Sequence, residues 1–450
     1  MSFARKFEKA FRYLLPSPFA IAILLSLLSF VLYWLYAEGS FSLRLENSVN
    51  DWQKGLWNGP LLVFMVQMML ILVLGHSLAL APSIKTFINQ ILKLSRRPET
   101  STALVAFFTL LVAYFNWGLA LVFGAVMARK AAEDFSAKGI PFNYGLLGAA
   151  GYSGLMVWHG GLSGSAPIKV AELGHLQSLS PETPGLPDRL GFGETLLSAL
   201  NIWPNLILLI LIPLSLFLLS KKAPRSDRQI SAQKKEGTLE KVRGAERIDY
   251  SRYFGLSIGL AIVGIGIYEA LSSIDSSFIS PNYINMMLLG LSLIFHQNLL
   301  SFLKAIDEAI QGAAGILLQF PLYFGIMGLM KDGGLIAALS AYFSSHSTAF
   351  SFPLYTFLSA GIINVFVPSG GGQWAIQGPV ILETASQLNI PFAKAIMAMA
   401  YGDQLTNMLQ PFWALPLLGI TGLKAREIVP YTLILMLLGL LTFGIALMIF

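Results

Sequence analysis

Apolar stretches long enough to cross about 30 Å of hydrocarbon recur from one end of the chain to the other. Full spans are predicted at 19–36, 60–81, 195–219, 253–272, 282–297, 310–330 and 428–449. Two more apolar regions, 102–175 and 352–424, are interrupted by glycine, proline and polar residues. In the first, Ala103–Phe115 runs into Asn116-Trp117-Gly118 and resumes as Leu119–Ala132. In the second, Leu354–Val367 runs into Pro368-Ser369-Gly370-Gly371-Gly372-Gln373 and resumes as Trp374–Gln387. Arms this short cannot comfortably cross at about 1.5 Å per residue. They predict re-entrant hairpins over 102–132 and 352–388 with polar tips, a backbone tolerated only inside protein or beside a watery cavity. A second interruption follows each hairpin. Phe142–Val157 breaks at Trp158–Pro167, and Phe392–Thr406 breaks at Asn407–Pro411. Both predict discontinuous helices, over 142–175 and 392–424.

The two halves match in order. Ile140-Pro141-Phe142 recurs as Ile390-Pro391-Phe392, and Gln67 in one span has Gln319 as its counterpart in another. Span, hairpin, broken helix and span therefore repeat, giving a first repeat at 1–220 and a second at 282–450. Between them, 221–281 reads as a basic cytoplasmic linker, with nine basic and five acidic residues in 221–249, followed by a connecting helix at 253–272. The positive-inside rule sets the orientation. Arg5, Lys6, Lys9 and Arg12 face one acid, Glu8, in the N-terminal segment, and Lys85, Lys93, Arg96 and Arg97 face Glu99 in 82–101. The 37–59 loop has two basic residues and three acids. The N-terminus is expected in the cytoplasm, and the odd connecting helix turns the second repeat upside down. Inverted repeats with broken helices mark transporters whose site lies near the bilayer midplane.

Composition removes the competing classes. Hydrophobic residues make up 55% of the 450 and charged residues only 12%, about half the charge that wets a soluble surface. The fold class is thus an all-α polytopic membrane protein. The net charge of +6 sits in loops beside apolar spans, which argues against nucleic acid. The absence of cysteine excludes disulfides and thiolate chemistry and fits a bacterial inner (cytoplasmic) membrane.

The two tips and two breaks are expected to converge, because unwound segments leave amides for anions and carbonyls for cations. No Lys or Arg falls inside a tip or a break. That suits a small monocarboxylate better than a dianion, which usually recruits Arg. Candidate substrate-binding residues are Asn116, Ser163, Gly164, Ser165, Ser369, Gly370, Gly371, Gly372 and Gln373. Asn116 reads equally as a helix cap, and Ser163 and Ser165 as caps of freed backbone groups. Asp403, a carboxylate at membrane depth, is the candidate carrier of a coupling proton or Na⁺, with Asn407, Asn116 and His159 beside it. A Na⁺ ion would fall to Asn116, Ser369 and Asp403. No other cofactor is expected.

Trp158–Pro167, Pro368–Pro379, Tyr401-Gly402-Asp403-Gln404 and Gln410–Pro416 together resemble the bacterial short-chain fatty acid uptake transporters, over nearly the whole chain. The resemblance implies an acetoacetate- or butyrate-type substrate and membership of the wider ion-transporter superfamily. It also implies a homodimer with a scaffold and an elevator-like transport domain, and roles for Asn116, Ser369, Gly370, Gly371 and Gly372 at the tips. Cation symport is the expected mode. Two other classes stand beside it: a passive anion channel or facilitator, and an intramembrane serine protease suggested by Gly161-Leu162-Ser163-Gly164.

Overall fold

The computed structural model describes residues 16–95, 97–225, 230, 244–272, 280–296 and 298–450. The basic N-terminal segment and most of the 221–249 linker, both invoked for orientation, lie outside the described residues. The described residues are 81% helix, with no strand among them. By length and composition, seven helical stretches can cross a membrane: Pro18–Tyr36, Gly59–Leu80, Pro98–Phe115, Ala199–Lys222, Arg252–Ser272, Leu299–Asp332 and Ala425–Ile449.

The helices start where the local chemistry starts them. α1 (Pro18–Tyr36) has Ser17 as its cap, accepting from the Ala20 amide, and proline in its first turn. α2 (Phe41–Leu56), α3 (Gly59–Leu80) and α4 (Pro82–Lys93) follow. α2 occupies the segment that the charge pattern reads as a loop. Its inner face carries Ser48, Asp51 and Gly55, and the Asp51 carboxylate accepts from the Tyr33 hydroxyl at 3.0 Å. α5 (Pro98–Phe115) and α6 (Trp117–Ala137) form the first hairpin and meet at Asn116.

Beyond it, α7 (Tyr144–Tyr152) continues through 3-10 turns at Ser153–Met156 and Trp158–Gly160 and then breaks. Past the break the chain regains one turn, α8 (Ala166–Lys169), before the short α9 (His175–Leu179) and α10 (Ala199–Lys222). The arm after the break is thus a single turn, with Gly160, Gly161 and Gly164 loosening the backbone between the two arms.

α11 (Arg252–Ser272) leads to α12 (Pro281–Phe295), the amphipathic α13 (Leu299–Ile310), α14 (Ala314–Asp332) and α15 (Leu335–Ser345). The second hairpin is α16 (Phe352–Phe366) and α17 (Gly370–Gln387). Its broken helix is α18 (Phe392–Thr406) and α19 (Pro411–Thr421), and α20 (Ala425–Ile449) ends the chain.

Burial separates two populations. Every residue of α7 is buried, as is the run Ala395–Leu405 of α18. By contrast, α1, α10, α11 and α20 expose Leu27, Leu35, Ile210, Leu271 and Leu441 at 58 to 82%. In water such surfaces would drive association; against lipid they are the solvated face. The broken helices thus occupy the centre, and α1, α10, α11 and α20 the periphery. The 170–198 segment lies over the second hairpin: Val170, Leu176 and Leu190 join a core with Trp374, Ile381 and Leu382. There the Trp374 indole donates to His175 Nε2 at 3.0 Å.

Candidate functional site

Both hairpins turn on a short polar cap. Asn116 (φ −155°, ψ 124°) accepts from the Leu119 amide at 2.9 Å, and Ser369 (φ −151°, ψ 99°) accepts from the Gly372 amide at 3.2 Å. An extended residue with a side-chain acceptor ends one helix and begins the next within a residue or two. This leaves the first amides of α6 and α17 pointing out of the tips. Those of Gly118, Gly370 and Gly371 have no acceptor among the described residues.

The first break is tied to the first tip. Trp117 N donates to Ser163 Oγ at 3.0 Å, and Leu162 N donates to Tyr114 O at 2.7 Å. A side chain at Gly161 would meet the Tyr114 carbonyl at 2.5 Å, so glycine is what lets the break close on α5. Asn201 holds the break from the other side. Its amide donates to Gly160 O at 2.9 Å and Leu196 O at 2.7 Å, while its carbonyl accepts from Tyr401 and from Asn205.

The first break, the last turn of α18 and the second tip meet at His159. Its backbone amide donates to Gln404 Oε1 at 3.0 Å, its Nε2 lies 3.0 Å from Asp403 Oδ2, and its Nδ1 accepts from the Ser165 amide at 3.3 Å. An Nδ1 that accepts carries no proton, so the assigned network puts the hydrogen on Nε2, donated to Asp403. His159 is 0% and Asp403 1% exposed. Gly370 lies directly on this pair. A Cβ there would stand 2.8 Å from Asp403 Oδ2 and 2.8 Å from both Cε1 and Nε2 of His159. The Asp403 carboxylate therefore faces the N-terminus of α17, whose positive end favours the charge.

Asp403 is also braced from behind. Asn364 donates its amide to Asp403 O (2.7 Å), Thr406 Oγ1 (2.9 Å) and Asn407 Oδ1 (2.8 Å), and Gln410 donates to Asn364 O. Tyr152 crosses from the other half to donate to Asn407 O at 2.7 Å. Asn407 sits in this bracing layer. Gln373 turns away from its tip, donating to Ala360 O (2.9 Å) and Gln377 Oε1 (2.6 Å) within its own hairpin. Gln67 and Gln319 are not joined; Gln67 donates to Asn282 at 2.8 Å. Gly164 packs on the His159 backbone, while Gly371 has open space around it. Asn364, Asn201, Tyr152 and Gln410 are the members that sequence reasoning missed or left without a role.

Rings link the His159 cluster to the first tip. Trp158 lies tilted against His159 with ring centroids 3.7 Å apart, Trp117 lies 5.8 Å from Trp158, and Trp413 lies edge-on to Trp117 at 4.7 Å. Ser163 Oγ faces the Trp117 amide, and both ring nitrogens of His159 are engaged elsewhere, so among the described residues no base is set on Ser163 for proteolysis.

The short chain fatty acid transporter family model matches residues 3–450. A protein of Escherichia coli strain K12, provisionally named a short-chain fatty acid transporter, is 35% identical over 450 residues, covering 97% of this chain and 96% of its own length. One of the same name from Haemophilus influenzae is 34% identical over 436 residues, covering 93% and 92%. Among solved structures, the YdaH transporter of Alcanivorax borkumensis aligns over 96% of this chain and 98% of its own, with TM-score 0.46 and 15% identity. MtrF of Neisseria gonorrhoeae aligns over 98% and 97%, with TM-score 0.42 and 13% identity.

Proposed function

The chain belongs to the short-chain fatty acid transporter family, and we propose that it takes up short-chain fatty acids or related small monocarboxylates by proton symport. The family consists of transporters rather than enzymes, and the chain is a multi-pass membrane protein. One observation carries the mechanism: Gly370 of the second tip rests on the buried His159–Asp403 pair contributed by the first break and the last turn of α18.

A substrate carboxylate has the free tip amides to bind and no cation to hold it. With neutral imidazole and ionised Asp403, the pair presents one negative charge beside that position. A proton arriving on Asp403 removes the repulsion, so proton and anion each raise the other's affinity. Na⁺ fits less well. The Asn116 and Ser369 oxygens expected to ligate it are already turned to cap the Leu119 and Gly372 amides, and Asp403 Oδ2 is turned to His159 Nε2. The order of elements supports an inverted repeat. Span, amphipathic helix, span, short helix, hairpin and broken helix occur as α1 to α8 and again as α12 to α19. On this reading the hairpins and broken helices form the mobile domain of an elevator, and the peripheral helices form the scaffold of a homodimer. The N-terminus is cytoplasmic, in a bacterial inner membrane.

The test is uptake of labelled butyrate and acetoacetate into proteoliposomes under imposed pH and Na⁺ gradients. Uphill uptake driven by an inward proton gradient is expected. Saturable uptake indifferent to both gradients would reduce the protein to a facilitator, and uphill uptake driven by Na⁺ alone would refute the proton assignment.

A further inference from the structure

The two halves of the chain differ at one place. The second passes from α19 to α20 through 422–424 alone, whereas the first passes from α8 to α10 through 170–198. The added length folds back on itself. Leu190 N donates to Val170 O at 2.8 Å, Gly174 N to Asp188 O at 3.0 Å and Gln177 Nε2 to Pro187 O at 2.8 Å. Closed in this way, it lies along the second arm of the second hairpin. Near the tip, the Trp374 indole donates to His175 Nε2 at 3.0 Å; at the far end, Ser386 Oγ donates to Pro184 O at 2.9 Å. Between them a Cβ at Gly378 would stand 2.7 Å from Leu179 Cδ2, so α9 presses directly on α17.

A hairpin that serves as a flap must swing its second arm away. Here that motion strips Trp374 and Leu382, 2% and 0% exposed, of their apolar cover and breaks the ties at both ends of α17. The same segment leads straight on from the first break, and Ala166 and Val170 share this core with Ala395, Ile396 and Met399 of α18. The elements that carry His159, Asp403 and Gly370 are thus fastened to one another behind the pair. We propose that 170–198 is a strap that keeps the second hairpin shut on the His159–Asp403 pair through the whole transport cycle. The hairpin then moves with the first break and α18 as one body and is not a gate. This inference rests on the transport reading above and adds the part that keeps the cycle coupled. With the tip held down, Asp403 exchanges its proton only after the whole body has moved, not through local opening of the hairpin. A weakened strap lets proton and anion move independently.

The chain has no cysteine, so an introduced pair reports without background. Leu179→Cys with Gly378→Cys, in the full chain in proteoliposomes, joins the strap to α17 once closed by a short, reducible thiol cross-linker. Proton-driven butyrate uptake of the cross-linked protein is expected to stay within about threefold of the same sample after reduction. A larger loss that reduction reverses would show the hairpin leaving the strap and overturn the proposal alone. Where that pair yields no active protein, Pro184→Cys with Ser386→Cys ties the far end of the arm and decides by the same ratio. His175→Ala with Leu176→Ala weakens the strap instead, and is expected to lower the butyrate gradient reached under a pH gradient by about threefold or more. Counterflow of labelled for unlabelled butyrate persists in that variant, and an undiminished gradient would overturn the proposal. Wild-type protein that takes up no monocarboxylate would overturn the transport reading and the strap's role with it.

Discussion

Gly370 and Gly371 are neighbours at the start of α17, yet the structure gives them opposite tolerances. Adding a methyl group at Gly370 places it 2.8 Å from Asp403 Oδ2 and from two atoms of the His159 ring, about 0.6 Å inside ordinary contact. Neither partner can swing away, because both are fully buried and His159 is held through Nδ1, Nε2 and its backbone amide. The same methyl at Gly371 meets nothing within 4 Å. Overpacking of this kind costs about 1–3 kcal/mol, while alanine in place of glycine returns at most about 1 kcal/mol of helix propensity. The net loss for Gly370→Ala is therefore roughly 1–2 kcal/mol, a factor of about 5–30 in the population with the tip seated on the pair.

Proton-driven butyrate uptake at matched protein density is expected to fall by that factor in Gly370→Ala. In Gly371→Ala it stays within about twofold of wild type, and its thermal midpoint holds or rises. Equal uptake by the two variants would refute the reasoning whatever their absolute level, because the only difference between them is what the added methyl touches.

Asp403→Asn removes the protonatable group while keeping a hydrogen-bond acceptor for His159. Uphill uptake under a pH gradient is expected to vanish while counterflow of labelled for unlabelled butyrate persists, and retained concentrative uptake would exclude Asp403 as the carrier. Asn201→Ala deletes four buried hydrogen bonds around the first break and leaves Tyr401 and Gly160 with poorer partners. A loss of about 2–4 kcal/mol is expected in denaturant titration of the detergent-solubilised protein, against an unchanged midpoint if the asparagine is merely filler.

The clamp of 170–198 on the second hairpin depends on a neutral His175 accepting from Trp374. Burial lowers the His175 pKa, opposed by Glu172 and reinforced by Lys169. The clamp is thus fully present above the ordinary histidine value of about 6.5 and is lost as pH falls through the lower folded value. Hydrogen exchange in this segment should accelerate on acidification in wild type and lose that pH dependence in His175→Gln.

The sequence shows the tips and breaks because polar and glycine-rich residues interrupt apolar runs, and Asn116, Ser369 and Asp403 stand out there for that reason. It does not show that His159 meets Asp403, 244 residues away. His159 lies in the first break and Asp403 in the last turn of α18, but which face of each points inward depends on packing that no local pattern encodes. Gln373 shows the same limit from the other side. It stands one turn beyond the Ser369 cap, and that turn aims its amide into the α16 backbone instead of out of the tip. Asn364 left a usable signal, an amide deep inside an otherwise apolar arm. Asn201 and Asn205 left a better one, two amides a helical turn apart in a lipid-length helix, where polar side chains turn toward protein.

The segment 37–59 was illegible for a different reason. In a soluble amphipathic helix the apolar stripe marks the core, and its period reveals the helix. In α2 the assignment is reversed: Ser48, Asp51 and Gly55 face the protein, while Phe41, Leu43, Leu45 and Val49 stand exposed. The small inner residues let α2 approach α14 closely, and the Asp51 charge finds Tyr33 and Lys54 there. A reading that equates apolar with inside sees charge and calls a loop. Where lipid is the solvent, the informative stripe is the small and polar one, and the same inversion makes His159, Asp403, Asn364 and Asn201 the interior of this protein.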